Sequence, residues 1–362
     1  MDIASLLRFA VEHGASDVHI QSAAVPMLRL AGQMRAVETG PLSRDEVLAL
    51  LGEMAPAGRK GDLGQAAMQG LDFAYELPGV ARFRCSAFSA LGQLGVTMRA
   101  IRTKIPSVEE LHLPKVVHDI ALSGRGLTLV TGTTGSGKST TLAAMIDLIN
   151  SHRREKIISI EDPVEYIHTN KKALISQLEV GSDTPSFDQA LRQALRQDPD
   201  VVLVGELRDI ETLRMALRAA DTGHQVFSTV HSANAAQTVE RIIAMFPPAE
   251  HKLLLSQLGH ALEAIISQRL LPAVDGKTRL PVVEILRGGP VTEKFVLENR
   301  LAELADFIER NESGMQSFDQ HLLELFNQNL ISGREALAYA SKPEVFAMAM
   351  RGIRQVGSGR KE

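Results

Sequence analysis

The stretch "LTLVTGTTGSGKSTTL", residues 127 to 142, limits what this chain can fold into more than any other. Leu127, Leu129 and Val130 form a short apolar run that stops at Gly132, and from Thr140 onward apolar residues recur with helical spacing. A strand enters the loop and a helix leaves it. Between them Gly132, Gly135, Gly137, Lys138 and Ser139 fit G-x-x-x-x-G-K-[ST], with Thr133, Thr134, Ser136 and Thr140 completing the loop. Glycines let successive backbone N–H groups turn inward, and the following helix adds the partial positive charge of its N-terminus. The result is a cradle for a polyphosphate. Lys138 reaches the β- and γ-phosphates as a point charge, and the Ser139 hydroxyl suits Mg²⁺, so ATP and Mg²⁺ are the expected ligands.

Acidic residues at neighbouring strand ends bear on whether the nucleotide is cleaved, because open α/β sheets bind ligands at their strands' carboxyl ends. "IISIEDPVEY" places Glu161 and Asp162 directly after an isoleucine-rich run, with Pro163 ending the strand. "DPDVVLVGELRD" places Glu206 just beyond Val201 to Val204, with Gly205 where a Walker B strand usually carries aspartate. Either acid can orient or deprotonate water, or hold Mg²⁺ through a water. "TGHQVFSTVHSAN" sets His224 and His231 at opposite ends of another apolar strand. His231, at the carboxyl end, is placed to sense a γ-phosphate; His224 reads as a turn residue.

The whole chain of 362 residues suggests roughly two domains. Residues 1 to 103 read as a small α/β module: a helix, the alternating "SDVHI", a hairpin turning at Gly32-Gln33, a second helix, then "ARFRCSAF" and "VTMRAI" joined through a Leu91/Gly92 turn. That pairing sets Arg84 opposite Arg99, a like-charge conflict that an anion would relieve. Residues 104 to 114, within the proline-bearing "RTKIPSVEELHLP", read as a linker. From 115 to 297 strands near 127–131, 157–160, 201–204 and 225–230 alternate with helices, the last of them spanning 250–266, which argues for a mostly parallel sheet. Residues 298 to 362 read as helices and a disordered Gly/Ser/basic tail, "QVGSGRKE".

Composition mainly excludes. A formal charge of -4 offers no global footprint for nucleic acid, and the single Cys85 rules out an intramolecular disulfide framework and a cysteine-rich zinc site. The N-terminus lacks a signal pattern and no apolar run reaches the length of a membrane span, so the expectation is a cytoplasmic protein that meets a membrane only peripherally.

Taken together, these motifs resemble those of the type IV pilus retraction ATPases, the PilT/PilU group of the secretion-motor superfamily. "SDVHIQSAAVPMLRLAGQMRAV", "GTTGSGKSTT", "ISIEDPVEYIH", "LRQDPDVVLVGELRDIET" and "AADTGHQVFSTVHSANA" look like that group's N-terminal strands, Walker A loop, Asp box, Walker B region and His box, in order. "RIIAMFP", "AIISQRLLP" and "GMQSFDQHLLELFNQNLIS" are similar too. The resemblance implies an N-terminal PAS-like domain, a C-terminal RecA-like domain with appended helices, and a homohexamer binding ATP between protomers. It implies Glu161 as the general base, Glu206 as a Mg²⁺ holder, Arg84 and Arg99 as arginines reaching the nucleotide from a neighbouring subunit, and His224 and His231 as the His box. Implied partners are an inner-membrane pilus platform protein and a paralogous motor ATPase. One departure is that "VTEKFVLEN", residues 291 to 299, stands where retraction motors of the PilT kind carry an "AIRNLI"-like motif. An accessory nucleotide-binding subunit and an assembly or secretion ATPase are the alternative expectations; the latter usually carries a four-cysteine zinc element that one cysteine cannot supply.

Overall fold

The structure, a computed structural model, describes residues 2–30, 32–56, 61–101 and 104–352. The expected tail, 355 to 362, lies outside them. Contacts divide the chain into two units, the first comprising Met1–Lys104, Asp162–Ile167 and Leu178–Pro185, and the second the remainder. Two short segments, Asp162–Ile167 and Leu178–Pro185, thus join the first unit, whereas the order of motifs along the chain assigns residues 115 to 297 to one core.

The first unit opens with α1 (Ile3–Glu12), where Ile3, Leu6, Leu7 and Ala10 are buried at helical spacing and the Asp2 carboxylate accepts from the Ala4 and Ser5 N–H groups. Its six strands are β1 (Ala15–Gln21), β2 (Met27–Leu30), β3 (Gln33–Ala36), β4 (Leu71–Leu77), β5 (Ala81–Ala90) and β6 (Gln93–Ala100), in the antiparallel order β3-β2-β1-β6-β5-β4. Helices α2 (Arg44–Met54), begun by a Ser43/Glu46 capping box, and α3 (Leu63–Met68) bury their apolar faces with the sheet's. The β5–β6 turn is at Leu91 and Gly92, both at positive φ, as expected. The earlier hairpin differs by one residue: Gln33 pairs with Leu30 and already belongs to β3. Gly32 accepts the turn's φ of 84°, which glutamine would resist.

The second unit holds α4 (Val116–Ala121), β7 (Gly126–Thr131), α5 (Lys138–His152), β8 (Lys156–Glu161), all but the last two residues of β9 (Leu174–Glu179), α6 (Phe187–Ala194), β10 (Val201–Val204), α7 (Ile210–Asp221), β11 (Gln225–Val230), α8 (Ala235–Met245), α9 (His251–Ala261), β12 (Leu262–Pro272) and β13 (Arg279–Arg287). The last strands of the sheet, ordered β13-β12-β7-β11-β10-β8-β9, were missed because the helix expected over 250–266 ends at Ala261. Leu262 turns extended, and β12 then pairs in parallel with β7 and antiparallel with β13. Gly259 lies in the helix's last turn, but neither glycine nor proline stands at the Ala261–Leu262 junction itself. The β-branched Ile265 and Ile266 are fully buried between two partner strands, and tertiary pairing overrides the local helical pattern.

The remaining helices are α10 (Pro290–Leu297), which contains most of the departing "VTEKFVLEN", α11 (Leu304–Glu309), α12 (Phe318–Asn327), α13 (Gly333–Tyr339) and α14 (Pro343–Met350). Phe318, Leu322 and Leu325 of α12 bury themselves with Leu280 and Val282 of β13. His321 adds a polar tie: its Nδ1 accepts the Val283 N–H at 3.0 Å, and burial pushes the imidazole down to about 4. Val108 and Leu113, from the stretch read as a linker, are buried in the second unit's core.

Candidate active site

Strands β7, β11, β10 and β8 are parallel, with Thr131 beside Val230 and with Val204 and Ile160 level with Ser228, so all four carboxyl ends lie on one side of the sheet. Their next residues gather at one edge of the sheet: Gly132 opens the phosphate loop, His231 follows β11, Gly205 and Glu206 follow β10, and Glu161 closes β8. This is the carboxyl edge that the sequence pointed to.

The loop is bent as a phosphate cradle requires. Gly132 has no room for a side chain, since a Cβ there would stand 2.4 Å from both the Gln268 carbonyl and the Ser136 hydroxyl. Gly137 is the N-cap of α5 and, lacking a side chain, leaves the first-turn N–H groups open to an anion. Lys138 is buried, and its Nζ donates to the Gly132 and Thr133 carbonyls at 3.0 Å each, which curls the ammonium into the loop's mouth. Thr133, Thr134, Gly135 and Ser139 are exposed, while Ser136 is buried beneath them.

The acids are oriented by neighbours that the sequence reading did not single out. Glu161 accepts the Ser159 hydroxyl at 2.8 Å and the Gln177 amide at 3.2 Å. Glu206, with its side chain only 13% exposed, pairs with Arg208 Nε at 2.6 Å and stands 3.8 Å from His231 Nε2. Burial, then the Lys138 charge, push His231 below the ordinary imidazole range, so it is neutral near pH 7. A neutral imidazole facing a phosphate group can donate one hydrogen bond without adding charge. Arg241 fixes the loop beyond by donating to the His231 carbonyl at 2.8 Å.

Gly205, which replaces the usual aspartate, sits against the Asp-box strand. Its N–H donates to the Ile160 carbonyl at 2.8 Å, and a Cβ would lie 3.3 Å from that oxygen and 3.4 Å from Glu161 Cα. A side chain here would push on Glu161 itself. Ser139 and Glu206 fit a hard cation that takes few protein ligands and completes its shell from phosphate oxygens and water. Among the described residues no cluster of three or more potential ligands forms a self-sufficient metal cage.

His224 is not part of this gathering. It precedes β11 at the amino end, where its Nδ1 lies 3.0 Å from the Ala219 carbonyl and its own carbonyl accepts from Gly126. The geometry within the chain is that of a turn residue. Arg84 and Arg99 belong to the first unit, directly opposite each other on β5 and β6. The anion expected between them is partly internal: Arg99 Nε donates to the buried Asp17 at 2.8 Å, across the β1–β6 pair. Asp17 stands directly opposite Arg99 in the β1–β6 register, and Arg29 Nε on β2 lies 3.8 Å from the same carboxylate. Burial raises the carboxyl of Asp17, but hydrogen bonds from Ser16 and Arg99 outweigh it and hold the group below its ordinary value. Arg82 is bound 2.9 Å from the buried Glu179, which also accepts the Val164 N–H. Arg84 is exposed and has no ion-pair partner among the described residues.

Residues 2–299 match the family described as "Type II/IV secretion system protein". The chain belongs to that family. Within it, the chain is 42% identical to the type IV pilus retractation ATPase PilT of Pseudomonas aeruginosa, over 96% of this chain and 100% of that one. It is 41% identical to the type IV pilus ATPase PilU of the same organism, over 94% and 89%. The crystal structure of the pilus retraction motor PilT with bound ADP superposes with a TM-score of 0.87 at 38% identity, covering 95% of this chain and 98% of that one. Secretion-family membership, and the PilT/PilU group within it, accord with the motifs and with the two-sheet α/β fold.

Proposed function

We propose that this chain is an ATP-hydrolysing motor that powers retraction of a type IV pilus. The observation that carries the reading is the convergence, at one sheet edge, of a phosphate loop, two oriented carboxylates and a neutral imidazole. Likeness to PilT along nearly the whole of both chains supports the same reading. In this proposal residues 132 to 140 hold the ATP phosphates, and Lys138 exchanges its two loop carbonyls for the β- and γ-phosphates. Ser139 and Glu206 hold Mg²⁺, whose chemistry is to neutralise the developing phosphate charge. Glu161, aimed by Ser159 and Gln177, takes the proton from the attacking water, and His231 donates to the γ-phosphate and registers its loss.

Arg84 and Arg99 act on a neighbouring subunit's nucleotide in a homohexamer. The motor works on the cytoplasmic side of the inner membrane against a pilus platform protein, with a paralogous ATPase as a second partner. No described helix is long and apolar enough to cross a membrane. Deletion in the native host, with pilus length and twitching recorded, tests the reading: long pili that fail to retract support it, whereas bald cells point to assembly.

A second reading has its own support. PilU is almost as similar as PilT, and α10 carries "VTEKFVL" in place of the "AIRNLI"-like pattern. An accessory subunit would bind nucleotide and hydrolyse little by itself. The ATPase rate of the purified, assembled protein separates the two.

A further inference from the structure

The motif "AIISQRLLP" lies on β12, which runs beside β7 and the phosphate loop that β7 feeds. We propose that Gln268 is a positioning residue for nucleotide binding, holding the last peptide of the phosphate loop so that its N–H faces the ligand. The inference rests on the nucleotide site proposed above and assigns it a further part.

Gln268 is 2% exposed and both ends of its amide are used. Nε2 donates to the Ser136 carbonyl at 2.7 Å, and Oε1 accepts the Thr141 hydroxyl at 2.8 Å. One side chain thus bridges the loop and the first turn of α5. The contact is close at both ends of the loop, because a Cβ on Gly137 would meet Nε2 at 2.8 Å and one on Gly132 would meet the Gln268 carbonyl at 2.4 Å. Next along the chain, the Ser267 hydroxyl accepts from Thr131, the residue that leads into the loop, at 3.0 Å.

A planar trans peptide points its C=O and N–H in opposite directions. Anchoring the Ser136 carbonyl to Gln268 therefore aims the Gly137 N–H the other way, into the cradle. Without that anchor a peptide flanked by glycine at φ 89° can rotate, and the cradle presents a carbonyl where a phosphate oxygen needs a donor. Thr141 gives the amide a second fixed partner, so its own orientation is set. Gln268 touches no phosphate in this scheme; it acts through Ser136 and α5.

The neighbouring residue supplies an internal control. Arg269 lies on the other face of β12, with its guanidinium 3.9 Å over the Phe318 ring and NH1 3.4 Å from the Tyr339 carbonyl. The test measures fluorescent ADP affinity, KM and kcat for ATP, and thermal midpoints with and without ADP in the full chain.

Gln268→Leu, similar in size but apolar, should weaken ADP binding roughly tenfold and shrink the ADP-induced thermal shift, with KM changing more than kcat. Thr141→Val should give a smaller loss of about two- to threefold. Arg269→Ala should lower the thermal midpoint while leaving ADP affinity unchanged. Native affinity in a folded Gln268→Leu protein would sink the assignment, as would an equal loss of affinity in Arg269→Ala. If Gln268→Leu does not fold, Gln268→Glu decides: it keeps the Thr141 acceptor but sets a carboxylate against the Ser136 carbonyl, and native ADP affinity there overturns the proposal. Lys138→Ala is measured alongside. Native affinity in that variant removes the nucleotide site itself and this inference with it, whereas loss there with none in the Gln268 variants defeats the positioning role alone.

Discussion

The two sheets put their functional groups in different places, and the reason is which faces are covered. In the second unit β7, β8, β10 and β11 are almost wholly buried along their lengths, so reactive side chains are confined to the strands' carboxyl ends and to the segments that leave them. Lys138, Glu161, Glu206 and His231 all lie there. In the first unit β5 alternates buried and exposed residues, so Arg84 stands in mid-strand on an open face opposite Arg99. A sheet covered on both sides concentrates chemistry at an edge, while a half-open antiparallel sheet presents charge along a surface.

Substitutions in the two regions should accordingly separate. Lys138→Ala should reduce hydrolysis to background and nucleotide binding with it, because a phosphate contact is lost from the edge cluster; near-normal turnover would break the comparison at its strongest point. Glu161→Gln keeps the Ser159 and Gln177 neighbours but removes the base. We expect kcat to fall on the order of 10³-fold with nucleotide affinity little changed, measured by single-turnover hydrolysis and direct binding. Weak binding instead would mean that Glu161 holds the ligand.

Arg84→Ala should lower the assembled protein's hydrolysis about 100-fold, less than a solitary arginine finger because Arg99 remains, and should leave the thermal midpoint unmoved. Arg99→Ala sharpens the contrast. It strands the buried Asp17 carboxylate without its nearest cation and should cost about 1 kcal/mol of stability as well as activity. Equal thermal midpoints in the two arginine variants would show that the Asp17 contact is idle.

The last effect concerns pH and leaves the catalytic groups untouched. His321 is held neutral in the folded chain at about 4, below its ordinary 6.5, and its Nδ1 accepts a backbone N–H. The unfolded chain binds this proton first as pH falls, so the stability from neutral His321 is complete above about 6.5 and is lost on acidification toward about 4. Between pH 7 and 5 this one group should account for about 2 kcal/mol, and His321→Gln should flatten that part of a denaturation–pH profile. An unchanged profile in the variant would remove His321 as its cause.

The legibility of the molecule follows the same division. The phosphate loop, the strands that feed it and the acids at their ends are local signals: a glycine pattern, an apolar run and a polar residue that stops it. Turns such as Leu91/Gly92 are equally local. The excursions at Asp162–Ile167 and Leu178–Pro185, by contrast, join the first unit through contacts distant in sequence, such as Arg82 with Glu179. Likewise β12 reads as the end of a helix until β7 and β13 are placed beside it.

By itself, then, the amino-acid order determined which residues can meet a triphosphate and on what kind of scaffold, because glycine's freedom, lysine's charge and the period of apolar residues act over a few positions. Only tertiary structure decided who supports them. That Gln268 grips Ser136 and that Asp17 answers Arg99 depend on strand placement and register, which arise from pairing between segments scores of residues apart.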